Sequence, residues 1–245
     1  MVTLSTLATI FEFIKKCVPS EVLAVVEDQL QGVWRQMFAN VNLLVLGPKE
    51  AGKSSLIYLM MYGKPFIVGE DGEKKSPDPT AGIVGLNKKI KLDKNEWFKL
   101  KADVAGDVGL RYLWKTLIDD INPHGIVYIL NGQKMMKPEV DPAAVGQLMD
   151  ELFVDVLAYY TNSARNLRAL AICLNFSDRW AKTPINERSL VHAVTDAFEL
   201  KRKDYDTLQH LRLSVSTTQL HPTVKKWAEA ERALKRLAAD LSEGK

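Results

Sequence analysis

The sequence predicts an α/β fold, a six-stranded, mostly parallel sheet with flanking helices over residues 41–245, behind a helical extension over residues 1–40. Three observations predict it. Apolar runs of strand length alternate with longer segments of helical period along most of the chain. One such run, Val41-Asn-Leu-Leu-Val-Leu46, feeds directly into Gly47-Pro-Lys-Glu-Ala-Gly-Lys-Ser54, the G-x-x-x-x-G-K-[ST] pattern, and a helical segment follows at once. Finally, residues 1–40 hold two helical patterns separated by Pro19.

The first of these patterns is amphipathic. Leu4, Leu7, Ala8, Phe11, Ile14 and Val18 share one face, with Ser5, Thr9, Glu12 and Lys16 opposite. Glu12, Lys15 and Lys16 break the apolar run well short of a bilayer span. The segment has no basic leader or small-residue cleavage site, and Val2 excludes N-myristoylation. Ser20 caps the second pattern, which runs through Val22, Val26, Leu30, Val33 and Met37. Such a pair docks on its own domain, pairs with a second copy, or lays its first helix on a membrane surface.

The loop at residues 47–54 has a mechanism behind each fixed position. Gly47 and Gly52 let backbone N–H groups close around phosphates, with Glu50, Ala51 and Ser55 in the same cradle; Lys53 reaches the terminal phosphates, and Ser54 offers its hydroxyl to Mg²⁺. The helix opening at Ser54 directs its positive end at the same place.

Further strands are expected at 86–92, 97–102, 125–130, 169–175 and 211–216. Asp93-Lys-Asn-Glu96 joins the first two and is short enough to force an antiparallel pair; the rest, separated by helices at 109–119, 142–160, 187–200 and 223–241, run parallel. Residues 63–82 are dense in Gly, Pro and charge and read as a long functional loop, from which Thr80 can reach Mg²⁺ when a γ-phosphate is present. Asp103-Val-Ala-Gly106 follows a strand, placing a carboxylate to hold Mg²⁺ through water and a glycine N–H to approach the γ-phosphate. Asn175 and Asp178 end another strand. An aspartate there accepts from the N1–H and exocyclic amine of guanine, although both residues also serve as ordinary turn formers.

Composition narrows the function classes. The chain has 245 residues, 47% of them hydrophobic, enough for one α/β domain with an appendage. A net charge of +3 gives no reason to expect a nucleic-acid partner. Cys17 and Cys173 form no disulfide framework, and the four histidines lie scattered away from them. A reducing, cytoplasmic setting is therefore expected, peripheral at a membrane if the first helix binds one, with no metal beyond nucleotide-bound Mg²⁺.

In this order, the elements resemble the Ras-like small GTPases of the P-loop NTPase class, and within them the Arf, Arf-like and signal-recognition-receptor-β group. The resemblance spans about residues 41–240. It rests on residues 47–54, on Pro79-Thr80-Ala-Gly82 as an Arf-type switch I, and on Asp103-Val-Ala-Gly-Asp-Val-Gly-Leu-Arg-Tyr-Leu-Trp114 as switch II. It implies GTP or GDP with Mg²⁺ held by Ser54 and Thr80, and by Asp103 through water. It also implies a γ-phosphate sensed by Gly106, guanine read by Asn175 and Asp178, and a last base-contacting loop at Ser216-Thr217-Thr218. Effectors or regulators would meet segments 63–82 and 103–115.

Three positions depart from the family pattern. Phe176 replaces the lysine of N-K-x-D and offers an aromatic face to the base; Thr217 replaces an alanine; and Asp107 stands at the catalytic, water-orienting glutamine position, where a carboxylate is repelled by the γ-phosphate. The expected function is an Arf-like switch with slow intrinsic hydrolysis. The alternatives are a catalytically inactive nucleotide-binding scaffold whose N-terminal helices form a partner, self or membrane interface, and an ATPase of the same loop class.

Overall fold

The computed structural model describes residues 41–62, 83–93, 96–104, 106–160, 166–181, 183–220 and 228–243. The expected N-terminal helices and the 63–82 loop, Thr80 included, lie outside the described residues.

Alternation along each strand builds the three layers. In β1 (Asn42–Leu46), Leu44 and Leu46 enter one apolar cluster, while Leu43 and Val45 enter another on the opposite face. β4 (Gly125–Asn131) repeats the division, with Ile126, Tyr128 and Leu130 on one side and Val127 and Ile129 on the other. A sheet apolar on both faces needs helices on both. α1 (Lys53–Tyr62) and α6 (Ala228–Glu243) cover one face; α2 (Tyr112–Ile121), α3 (Pro142–Asp155) and α5 (Pro184–Arg202) cover the other.

With β2 (Ile83–Asp93), β3 (Glu96–Val104), β7 (Ala169–Asn175) and β8 (Arg212–Thr217), the main sheet has six strands in the order β2-β3-β1-β4-β7-β8. β2 and β3 are antiparallel and every other pairing is parallel, as the connection lengths require. The strand order reverses about β1, and in such sheets ligands bind at the carboxyl ends of the strands near that reversal.

Local chemistry sets the helix boundaries. Asp141 accepts from the N–H groups of Ala143 and Ala144 at the start of α3, just before Pro142, and Thr183 accepts from Asn186 N–H at the start of α5, before Pro184. Two expected helices are shorter than their patterns. The one at 109–119 is divided, because Asp107 closes a tight 3₁₀ turn over Val108–Leu110 before α2 begins at Tyr112. The one at 142–160 stops at Asp155, and a 3₁₀ turn over Leu157–Tyr160 follows; leaving α geometry lets Val156, Leu157 and Tyr160 all bury. Arg111 ties this region together, its guanidinium pairing with Glu151 at 2.8 Å and Asp155 at 2.7 Å on α3. A two-stranded hairpin, β5 (Met136–Lys137) with β6 (Glu139–Val140), and the one-turn α4 (Ser177–Trp180) complete the described elements.

Candidate nucleotide-binding site

The loop between β1 and α1 is built around its glycines. Gly47 has φ +147° and Gly52 φ +104°, both in the region that side chains disfavour. Space is equally restrictive: a Cβ on Gly47 would lie 2.1 Å from the Ile129 carbonyl oxygen, and one on Gly52 2.3 Å from Asn175 Nδ2. Glu50 adopts a left-handed φ of 61° at the crest, and Ala51 is fully buried beneath. Ser54 and Ser55 are half-buried in the first turn of α1.

Lys53 is 8% exposed, and its ammonium donates to the carbonyls of Gly47 at 2.9 Å and Pro48 at 2.8 Å. The lysine thus folds back over the mouth of its own loop. Gly106 closes on the same point from the end of β3, since a Cβ there would sit 2.3 Å from Lys53 Nζ and 2.4 Å from the Gly47 oxygen. Any residue larger than glycine would displace the lysine or the loop. Asp103 pairs in register with Val84 near the end of β3.

Asp107 comes next. Its Oδ1 accepts from Gly109 N–H at 3.1 Å, and its Oδ2 lies 3.7 Å from Lys49 Nζ across the loop. A cavity of about 370 Å³ opens beside them, lined among others by Gly106, Arg111, Asn131 and Glu151.

At the other end of the site, Asn175 is fully buried. Nδ2 donates to the Ala51 carbonyl at 2.9 Å, and Oδ1 accepts from Leu220 N–H at 2.9 Å and the Thr218 hydroxyl at 3.3 Å. Asn175 therefore clamps the phosphate loop to the segment after β8. Phe176 has a left-handed φ of 61°, and its ring lies 4.9 Å from the Arg179 guanidinium carbon. That sharp turn starts α4, where Asp178 is exposed and Trp180 is buried, its indole N–H donating to the Asn175 carbonyl at 2.9 Å. The Ser177 N–H donates to the Thr218 carbonyl, so the Asp178 turn and the loop after β8 are joined. Thr217 is buried and its hydroxyl donates to Glu187, whereas Ser216 is half-buried.

The structure brings residues 47–55, Gly106, Asp107 and Asn175 together, with the Phe176–Asp178 turn and Thr217 adjoining through Asn175 and Thr218. Sequence reasoning missed the bracing role of Thr218, which it named only as part of the base-contacting loop, and it missed Trp180, Glu187 and Lys49. The first three act by bracing, which leaves no motif; Lys49 fills a position of the loop pattern that any residue may occupy.

By sequence, the chain matches no family model and no curated protein. By structure, it is similar to the Arl6 (BBS3) small GTPase from Trypanosoma brucei with bound GppNp, at 14% identity and a TM-score of 0.53, covering 84% of this chain and 99% of that one. The fold is that of a small GTPase. The mammalian SRP receptor is similar to the same degree, at 16% identity and a TM-score of 0.52, covering 81% of this chain and 99% of that one. The small-GTPase fold accounts for the convergence of the loop, Gly106 and Asn175 at one end of the sheet. Among the described residues no helix is long and apolar enough to cross a membrane.

Proposed function

We propose that this chain is an Arf-like GTP-binding protein that switches between GTP and GDP states with Mg²⁺ and hydrolyses GTP slowly by itself. The observation that carries the reading is the packing of Gly106 against Lys53. The side of Gly106 that a Cβ would occupy lies against the Lys53 ammonium, so occupancy of the terminal phosphate position would be felt by the segment that follows β3.

Each group has a role in this reading. The loop N–H groups and Lys53 hold phosphates, Ser54 and Thr80 ligate Mg²⁺, and Asp103 supports it through water. Asp178 selects guanine by accepting from its edge. Asn175 serves by holding the loops that flank the base. Segments 63–82 and 103–115 then present different surfaces to an effector or regulator in the two states, and residues 1–40 supply a membrane or self contact.

A second reading has one observation in its favour. Asp107 uses its carboxylate to close the turn before α2 and to face Lys49, so a residue at the water-orienting position is committed to structure. On that reading the chain is a scaffold held with one nucleotide. Mass spectrometry of the nucleotide that co-purifies, together with isothermal titration of GTP, GDP and ATP with Mg²⁺, tests both readings. Guanine preference with both phosphate states bound supports the switch. One unexchangeable nucleotide supports the scaffold, and equal ATP and GTP affinity ends the GTP reading.

A further inference from the structure

Lys49 and Asp107 face each other from the two segments that meet at the Lys53 ammonium. Lys49 lies two residues beyond Gly47, whose carbonyl accepts from Lys53, and Asp107 directly follows Gly106, which packs on the same amine. Their charged atoms are 3.7 Å apart, with side chains 65% and 52% exposed. An ion pair this open to water contributes little to folding, so its consequence lies in the charge balance of the site it borders.

That balance is unfavourable without Lys49. The Asp107 carboxylate is held on this side of the turn by its bond from the Gly109 N–H. It borders the end of the loop where Gly106 meets Lys53, so a terminal phosphate entering there meets a fixed like charge. The compensating cation has to come to it.

Resting on the GTP-binding reading above, we infer that Lys49 is the residue that makes the triphosphate state accessible to a chain with aspartate at position 107. Its ammonium offsets the carboxylate and thereby sets the affinity ratio between tri- and diphosphate. In the same reading Lys53 is taken up by the phosphates themselves, which leaves Lys49 as the cation that faces the carboxylate. The pair works as a unit: a cation in the phosphate loop allows an anion in the following segment.

The test is a double-mutant cycle on the full chain, read by isothermal titration of GppNp and GDP with Mg²⁺. Lys49→Ala is expected to lower the ratio of GppNp to GDP affinity by about tenfold, since it exposes an uncompensated charge near the terminal phosphate. Adding Asp107→Asn, which keeps an oxygen to accept from Gly109 N–H, is expected to restore the ratio. A ratio unchanged by Lys49→Ala, or one that Asp107→Asn does not restore, overturns the inference; the latter would mean that Lys49 contacts phosphate for its own sake. Both positions are exposed, and thermal melts confirm that the variants fold. A native chain that binds neither nucleotide overturns the GTP reading and this inference with it, whereas binding of both with an unmoved ratio overturns this inference alone.

Discussion

Asn175 donates from Nδ2 to the Ala51 carbonyl at 2.9 Å, a bond between the end of β7 and the phosphate loop that joins residues 124 positions apart. Its Oδ1 holds Leu220 N–H and Thr218 at the same time, so one fully buried amide ties two loops to the end of β7. Removing it leaves buried backbone groups unpaired, each costing about 1–3 kcal/mol. Asn175→Ala is therefore expected to lower the denaturant midpoint of the nucleotide-free protein. Asn175→Asp, which keeps the acceptor but turns an anion toward the Ala51 carbonyl, should be no better. An unchanged midpoint in either variant would show that the amide does not brace these loops.

Cys173 gives a pH dependence with a definite sign. Burial in β7 pushes its thiol from an ordinary 9.0 up to about 12, against a smaller opposing effect of its hydrogen bond with Ser216. Tyr128, buried in β4, is likewise raised above its ordinary value of 10.0, and there desolvation outweighs the nearby Arg111. In this range the native chain keeps protons that the unfolded chain releases, so stability is full below about pH 9 and falls as pH rises, approaching roughly 1.4 kcal/mol per unit per group. Urea unfolding at about pH 8 and about pH 10 should show the loss, and Cys173→Ala should flatten it. The native thiol should also resist alkylation until the protein unfolds, and rapid labelling of Cys173 in the folded chain would contradict its burial.

The fold was legible because its signals are local and periodic. The stretch 169–174 is apolar throughout and, with Asn175, is wholly buried as β7, and the short Asp93–Glu96 connection forces an antiparallel pair whatever packs on it. Helix ends were less legible. The turn before α2 depends on an Asp107 side chain choosing the Gly109 N–H, and the end of α3 depends on where Val156, Leu157 and Tyr160 find space. The proposed phosphate half of the site follows from Gly47, Gly52, Lys53 and Gly106, whose positions in the chain match the pattern that cradles phosphates. The proposed base half is braced by Asn175, Thr218, Leu220 and Trp180 through contacts between distant segments, and no spacing along the chain encodes those contacts.

Asp178 carries the expected guanine preference. It is exposed in the first turn of α4, placed by the left-handed backbone of Phe176 and the bond from Ser177 N–H to Thr218. Asp178→Ala should weaken GDP and GTP binding by about 1–3 kcal/mol through unpaired base donors, and should narrow the gap to adenine nucleotides. Because the side chain is exposed, the melting temperature of the nucleotide-free protein should stay where it was. A variant with native GDP affinity would move base recognition elsewhere.

Asp107→Gln tests the catalytic position. Hydrolysis at such a site needs a group that orients water without adding negative charge beside a phosphate already anionic. Ionised aspartate adds repulsion and is a methylene shorter than glutamine. Here it is also engaged by Gly109 N–H and faced by Lys49. Single-turnover hydrolysis by the native chain should accordingly be very slow, and faster with glutamine, which is long enough to leave the turn and reach toward the loop. Thermal melts separate this from a stability effect, since the exposed turn contributes little to folding. A partner that donates an arginine could still accelerate the native chain, so slow intrinsic turnover alone does not make it a scaffold. Fast native hydrolysis that slows with glutamine would make the carboxylate a base or positioning group, and would reverse the role assigned to Asp107.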